Sequence, residues 1–236
     1  MRRIFVGDVQ GCGAQLEVLL GELQLGSGDR LYCVGDLVNR GPDSLGVLRR
    51  LRDLDAHIVL GNHDLHLLRI AAGSKSVPKA HPLDVVLRAP DRDVLLDWLL
   101  AQPVMRVEHD LVVVHAGVHP AWTDIAAIAP MLNAAVRGHG LRRLDRNVDF
   151  ATNVRYCDAT GRRPPSDEPP PAAPFFPWDH FYRGTRTVVF GHWARRGLVM
   201  QPCLRGLDTG CVYGGALTAW IAEEDRLVQV HGWQGA

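Results

Sequence analysis

Five short apolar runs in this 236-residue chain end in a side chain that could hold a hard metal ion. Val6-Gly7 leads to Asp8, Val34-Gly35 to Asp36, Leu60-Gly61 to Asn62, Val113-Val114 to His115, and Phe190-Gly191 to His192. Glycine stands directly before four of the five, where it lets the backbone turn in a space that a side chain would crowd. Every candidate donor is an oxygen or a nitrogen, a set that suits Mn²⁺, Fe, Co²⁺, Zn²⁺ or Mg²⁺. With this many ligand types, two ions sharing one carboxylate is the natural arrangement. A pair about 3.5–4 Å apart suits in-line displacement at phosphorus. One Gly-Asp after a strand is ordinarily a turn; recurrence at five equivalent places is what points to a site. Gln10 stands two residues beyond Asp8, where a histidine would complete a metal site. Its amide oxygen is a neutral hard donor, so it reads as a substitute ligand, as the sign of a dead site or as a turn residue, and the filled ligand positions elsewhere argue against the dead site.

To converge, these residues need strands lying side by side. The first sixty residues alternate strand and helix: strands over 3–7, 31–35 and 57–61, helices over 14–25 and 43–53. This rhythm predicts a βαβαβ unit with a largely parallel sheet, whose ligands bind beyond the carboxyl ends of the strands. A helix over 64–72, a polar loop over 73–82 and an amphipathic helix over 91–101 follow. Next come a hairpin about His109-Asp110 and a helix over 122–137. Residues 159–177 carry seven prolines and predict an extended surface loop without helix or sheet. Strand patterns return in TVVFGH, LRGLD, LTAWIA and RLVQV and complete the pattern begun at the N-terminus, so we expect one domain over 1–236.

Composition bounds the function. The chain is 47% hydrophobic, enough for a sizeable core. Its net charge is zero, which gives no global pull toward nucleic acid or membrane. Five cysteines (12, 33, 157, 203 and 211) form no CxxC pair, which argues against a disulfide framework and a thiolate zinc site. No signal-peptide pattern and no apolar run of transmembrane length is visible, so we expect a cytoplasmic protein. Apart from Lys75 and Lys79 every basic residue is arginine, a bias that a GC-rich genome or phosphate binding would each produce. The arginines of 137–163 read as a solvated face, with RNA binding as the alternative.

The segments GDVQGC, GDLVNRG, GNHD, HAG and GH occur in the order found in metallophosphoesterases of the phosphoprotein-phosphatase type. Within that group the chain most resembles the bacterial symmetrical diadenosine tetraphosphatases, on the runs GDLVNRGPDSLGVLR, GNHDLHLL, HAGVHPAW, FGHWA and GLDTGCVYGGALTA. The resemblance implies an α/β fold of two mixed β-sheets flanked by helices, with a dinuclear metal site at the strand ends. It implies that Asp8, Gln10 and Asp36 hold one ion, and that Asp36, Asn62, His115 and His192 hold the other. We expect two divalent ions, Mn²⁺ foremost, with Co²⁺, Fe, Zn²⁺ or Mg²⁺ also suited. Arg40 would grip phosphate, and His63 would be the general acid. Asp64, next to His63, is counted with it among the catalytic candidates. Arg155 is the candidate for a second phosphate grip, in a Thr152-Asn153-Val154-Arg155 stretch that keeps one of the family's two arginines.

The chain departs from the family pattern in three places. Gln10 replaces histidine. Asn39 stands where protein phosphatases have the aspartate that steadies the acid histidine. An amide cannot stabilise an imidazolium as a carboxylate does, which fits a nucleotide anhydride better than a phosphoprotein. The helical insert of about 120–157 is short, which bears on the nucleotide pocket. Trp178, Trp193 and Tyr213 are candidates for stacking on a purine, or for plain packing. The expected activity is hydrolysis of diadenosine tetraphosphate and related dinucleoside polyphosphates to two nucleoside diphosphates. Alternatives are a serine/threonine protein phosphatase, removal of a nucleoside-tetraphosphate cap from RNA, and a non-catalytic nucleotide-binding module.

Overall fold

The computed structural model describes residues 1–75, 81–137 and 141–235. Half of the polar loop expected over 73–82 and part of the arginine-rich stretch lie outside the described residues. The strands of the first half are β1 (Arg3–Val6), β2 (Arg30–Cys33), β3 (His57–Ile58), β4 (Met105–Val107), β5 (Leu111–Val114) and β6 (Tyr156–Cys157). Those of the second half are β7 (Phe176–Pro177), β8 (Thr187–Phe190), β9 (Val199–Gln201), β10 (Leu204–Gly206), β11 (Ala216–Ile221) and β12 (Arg226–His231). The helices are α1 (Gly13–Leu23), α2 (Ser44–Asp53), α3 (Asn62–Ala71), α4 (Asp84–Leu87), α5 (Arg92–Leu100), α6 (Ile125–Arg137) and α7 (Arg146–Asn153).

Two five-stranded sheets, ordered β12-β11-β1-β2-β3 and β4-β5-β8-β10-β9, make the sandwich. Both are mixed. β1, β2 and β3 are parallel neighbours, as the strand–helix alternation predicts, while β11 and β12 add antiparallel on the other side of β1. In the second sheet β5, β8 and β10 are parallel, with β4 and β9 antiparallel at the edges. The parallel strands are covered on both faces, so they are apolar throughout rather than alternating. Phe5 of β1 turns toward the second sheet, with Tyr32, Val34, Val113, Val189 and Trp220. Its neighbours Ile4 and Val6 turn outward to the helices. Each such fully buried side chain stabilises the fold by roughly 1.5–3 kcal/mol. α1 buries Leu16, Leu19, Leu20 and Leu23 at helical spacing and packs on β11 and β12. α2 is capped by the Asp43 side chain, which accepts the Gly46 N–H at 2.8 Å.

Besides the short edge strand β9, which the pattern did not mark, three elements differ from the sequence pattern. The strand expected over 57–61 pairs only at His57–Ile58, because the Leu60 N–H leaves the sheet for the Pro103 carbonyl at 2.8 Å. The one-turn helix α4 is too short to leave a periodic signal. The proline-rich stretch is extended, but its last two residues form a ribbon, with Tyr156 opposite Pro177 and Cys157 opposite Phe176. A proline fits there because a two-residue ribbon is all edge. Among the described residues no helix is long and apolar enough to cross a membrane.

Candidate active site

The strand-end ligand candidates sit just past the parallel strands of both sheets, four in loops and Asn62 as the first residue of α3. Asp8, Asp36 and Asn62 follow β1, β2 and β3, while His115 and His192 follow β5 and β8. The turns are made largely by the site residues themselves. Gln10, Asp36, Asn39, Arg40 and His192 all have φ between 45° and 78°, a left-handed region uncommon for residues with a side chain. Such strain persists where the surrounding structure over-determines it, and it concentrates at functional sites. Of the four preceding glycines only Gly35 has a positive φ. Gly61 and Gly191 serve a different purpose, because a methyl group on either would overlap the Asp36 or the Asp8 carboxylate. Glycine is therefore the space beside the ligand, and the ligand takes the turn.

Ligating atoms of Asp36, His115 and His192 lie within 4.8 Å of one another. Asn62 Oδ1 is 3.1 Å from His115 Nε2 and 3.0 Å from His192 Nδ1. Asp36 Oδ2 is 3.4 Å from His115 Nε2 and also 3.4 Å from the Gln10 amide. Asp8 accepts the His192 N–H at 3.1 Å through both carboxylate oxygens. Gln10, Asp36, Asn62 and His192 thus line one cavity, with His115 against Asp36 and Asp8 joined to the group through the His192 N–H.

The hydrogen bonds of the two histidines fit a metal. His115 Nδ1 is 2.8 Å from the Val34 carbonyl and His192 Nε2 is 3.2 Å from the Asn153 carbonyl. A carbonyl accepts only an N–H, so those nitrogens carry the protons. That leaves the other nitrogen of each ring facing Asn62, and His115 Nε2 facing Asp36 as well, the orientation of an imidazole that binds a metal once that nitrogen gives up its proton. Oxygen and imidazole donors around a shared carboxylate suit divalent first-row ions or Mg²⁺.

Electrostatics follows from burial and close pairing. Burial alone would raise the Asp36 carboxyl, but the imidazoles of His115, His63 and His192 outweigh it and hold the pKa below the ordinary value. Burial opposes charge on His115 too, yet the adjacent Asp36 carboxylate lifts its pKa to about 10. Asp8 is raised by burial and by Asp208. The N-terminus of α3 adds its own attraction for anions, with the His63 N–H donating to Asp36 Oδ1 at 2.8 Å.

Around this centre the other candidates separate. Asn39 Oδ1 accepts the Arg40 N–H at 2.9 Å, so its amide nitrogen faces His63 Nδ1, 2.7 Å away. Nδ1 is therefore the acceptor and Nε2 carries the proton. Arg40 Nε stands 3.5 Å from Nε2, at the limit of hydrogen bonding, so the shorter contact sets the tautomer. Burial, with Arg40 and His115 against the opposing pull of Asp36, holds the His63 pKa below the ordinary imidazole value. Asp64 is turned away from the His63 ring. Its carboxylate accepts the N–H groups of Asp36, Leu37 and Gly61 at 2.8, 2.9 and 2.9 Å, so it fastens the Asp36 loop to the start of α3. Burial and the neighbouring Asp36 push its pKa to about 7.

A cavity of about 500 Å³ opens from the ligands and is lined by Arg40, His63, Arg155, Arg195, Trp193 and Tyr213. Tyr213 is 60% exposed, with the Arg40 guanidinium 5.6 Å from its ring centroid. Trp178 is not part of this wall. It is fully buried against Phe190, so its bulk serves the core. Several lining residues escaped the sequence reading, Arg195, Asp208, Asp167 and Glu168 among them. Arg195 had no motif to mark it. Asp208, two residues past β10, repeats the place of Asp8 past β1, a signal present in LRGLD. Burial pushes its carboxyl up to about 6.

Comparison with known proteins gives a consistent result. Residues 1–196 match the family model of the calcineurin-like phosphoesterases. The chain is 40% identical to a symmetrical bis(5'-nucleosyl)-tetraphosphatase of Nitrosospira multiformis, over 94% of this chain and 93% of the relative. It is 41% identical to the protein of the same name from Ralstonia nicotianae, over 91% of this chain and 87% of the relative. It also resembles the crystal structure of a provisionally named diadenosine tetraphosphatase, with a TM-score of 0.77 and 37% identity, over 99% of this chain and 95% of that one.

Proposed function

The chain belongs to the calcineurin-like phosphoesterases, and within them to the symmetrical bis(5'-nucleosyl)-tetraphosphatase family; from that premise we propose that it hydrolyses diadenosine tetraphosphate and related dinucleoside polyphosphates to two nucleoside diphosphates. The observation that carries the reading is the gathering of Asp36, His115 and His192 beside a cavity whose wall supplies arginines and aromatic rings. That pairing of donors suits a polyphosphate chain with a nucleoside at its end.

Asp8, Gln10 and Asp36 would hold one divalent ion, and Asp36, Asn62, His115 and His192 the other, with Mn²⁺ foremost. Bound there, such ions supply Lewis acidity, making water acidic enough to attack and drawing charge from the phosphoryl oxygens. The chain's own groups do the rest. Arg40 binds the equatorial oxygens of the reacting phosphoryl group, where charge develops in the transition state, and Arg155 is the second phosphate grip, on the phosphate next along the chain. His63 presents its Nε2 proton toward the departing oxygen. With Asn39 rather than a carboxylate behind it, His63 acts as a neutral hydrogen-bond donor to a diphosphate that departs as its anion, a leaving group that needs no full proton transfer. We place the protein in the cytoplasm, whose reducing chemistry suits five free thiols.

The test is a matrix of Mn²⁺, Co²⁺, Mg²⁺ and Zn²⁺ against diadenosine tetraphosphate, ATP, a phosphopeptide, capped RNA and an aryl phosphate, with products separated by chromatography. Diadenosine tetraphosphate should turn over fastest and give ADP alone. ATP and AMP as products, or faster cleavage of the phosphopeptide, would overturn the reading.

A further inference from the structure

The proline-rich loop returns to the site rather than trailing into solvent. The ribbon of β6 and β7 ties its two ends together, and the Trp178 N–H donates to the Arg155 carbonyl at 3.0 Å beside that neck. Between these ends the chain carries Ser166-Asp167-Glu168 to the wall of the cavity, where Asp167, Glu168 and Pro170 join the lining. Asp167 Oδ2 pairs with Arg155 Nη1 at 3.2 Å, and Glu168 pairs with Arg195. Ser166 Oγ donates to the Glu168 carbonyl at 2.8 Å and accepts the Glu168 N–H at 3.1 Å, which shapes the acidic tip. Prolines on both sides restrict the backbone, so the tip is presented with little conformational freedom left to lose.

We propose that Asp167 and Glu168 are an internal latch on the polyphosphate subsite, holding Arg155 and Arg195 with carboxylates that an incoming phosphate chain must displace. The inference rests on the proposed polyphosphate function, since it is that ligand which needs these arginines. It has a consequence for selectivity. A chain long enough to reach from the metal ligands to Arg155 and Arg195 exchanges carboxylates for phosphates. Inorganic phosphate, seated at the metal end beside Arg40, does not meet the latch. The two acids therefore weaken long ligands alone, including a nucleoside diphosphate product that reaches Arg155, and so favour its release. Both pairs are partly exposed, and Arg195–Glu168 more so than Arg155–Asp167, so most of the effect belongs to Asp167.

The experiment is calorimetric titration of the ion-loaded protein, wild type and Asp167→Asn/Glu168→Gln, with a methylene-bridged tripolyphosphate and with inorganic phosphate. The double variant should bind tripolyphosphate about two- to fivefold more tightly, the range that partly exposed ion pairs carry, with phosphate affinity unchanged. Weaker tripolyphosphate binding would mean that the acids position Arg155 for its ligand, and would overturn the latch. An equal gain for phosphate would overturn it too, because the effect would then be general charge. Equal tripolyphosphate binding by both proteins would remove the latch and leave the proposed function standing. Tripolyphosphate binding by neither would remove both.

Discussion

At the residue scale the chemistry turns on two amides placed where charged or basic groups would be expected. Gln10 is 7% exposed and lies against Asp36, so its side chain is spent on the site and not on a surface turn. If its carbonyl serves an ion, Gln10→Ala removes one neutral donor. The Mn²⁺ concentration for half-maximal activity should rise, and excess Mn²⁺ should recover much of the rate. A wild-type metal titration for that variant would leave Gln10 without a ligand role. Asn39 governs His63 differently. Its amide hydrogen meets Nδ1 and keeps the imidazole neutral. Asn39→Asp would present an acceptor instead, favour the imidazolium and raise the His63 pKa. Rates on an aryl phosphate or phosphopeptide should then gain about tenfold relative to diadenosine tetraphosphate, because poor leaving groups depend most on a true acid. An unchanged ratio would show that His63 does not protonate the leaving group.

At the element scale, loops rather than strands do the positioning. α7 ends beside the site and its Asn153 carbonyl orients His192, so the 120–157 segment supports the centre as well as its surroundings. The neck of the proline-rich loop is held by Asp158. Its carboxylate accepts the Thr160 hydroxyl at 2.6 Å, the Thr160 and Arg162 N–H groups at 2.9 and 3.0 Å, and the Arg162 Nε–H at 3.1 Å. Those bonds, the Thr160 hydroxyl's first, hold its carboxyl down to about 2. A depressed folded pKa stabilises above the unfolded value, about 3.9 for aspartate. The contribution is lost as pH falls from there toward the folded value. Asp158→Asn should therefore melt below wild type at pH 7, and the gap should close between about pH 4 and 2. A gap that stays constant over that range would show that the carboxylate charge is not what holds the turn.

At the scale of the whole molecule, the centre is assembled across the sandwich. Asp8, Asp36 and Asn62 come from the first sheet, and His115 and His192 from the second. Phe5 lies fully buried between the sheets, stacked on Tyr32 with centroids 4.6 Å apart and 5.5 Å from Trp220. Phe5→Ala should cost about 3–5 kcal/mol in urea unfolding. Ions held by the proposed ligand set would join the two sheets, so added Mn²⁺ should raise the melting temperature of that variant, as a ligand specific to the folded state does. No response to Mn²⁺ in either protein would count against a metal centre spanning the sheets.

Much of this was legible in the sequence because it is local. An apolar run bounded by glycine and a ligand type marks a strand end whatever surrounds it, so Asp8, Asp36, Asn62, His115 and His192 could be picked out together. Their alternation with helices over the first sixty residues predicted the parallel part of the first sheet by the same local logic; the parallel pairing of the second sheet, between strands far apart in the chain, was not legible. Other features depend on partners distant in the chain. Asp64 reads as a companion to His63 until the backbone of residues 36 and 37 arrives to take its carboxylate. Trp178 reads as stacking ring or plain packing until Phe190 encloses it and decides for packing. The tautomers of His63, His115 and His192 are set by Asn39, Val34 and Asn153, none adjacent in sequence. Proline content alone predicted an extended loop, but where that loop returns was decided by the ribbon at its neck and the arginines across the cavity. Residue type and spacing determine which groups can do chemistry. Only tertiary packing decides which way each group faces, because that depends on hydrogen-bond partners that the fold brings together.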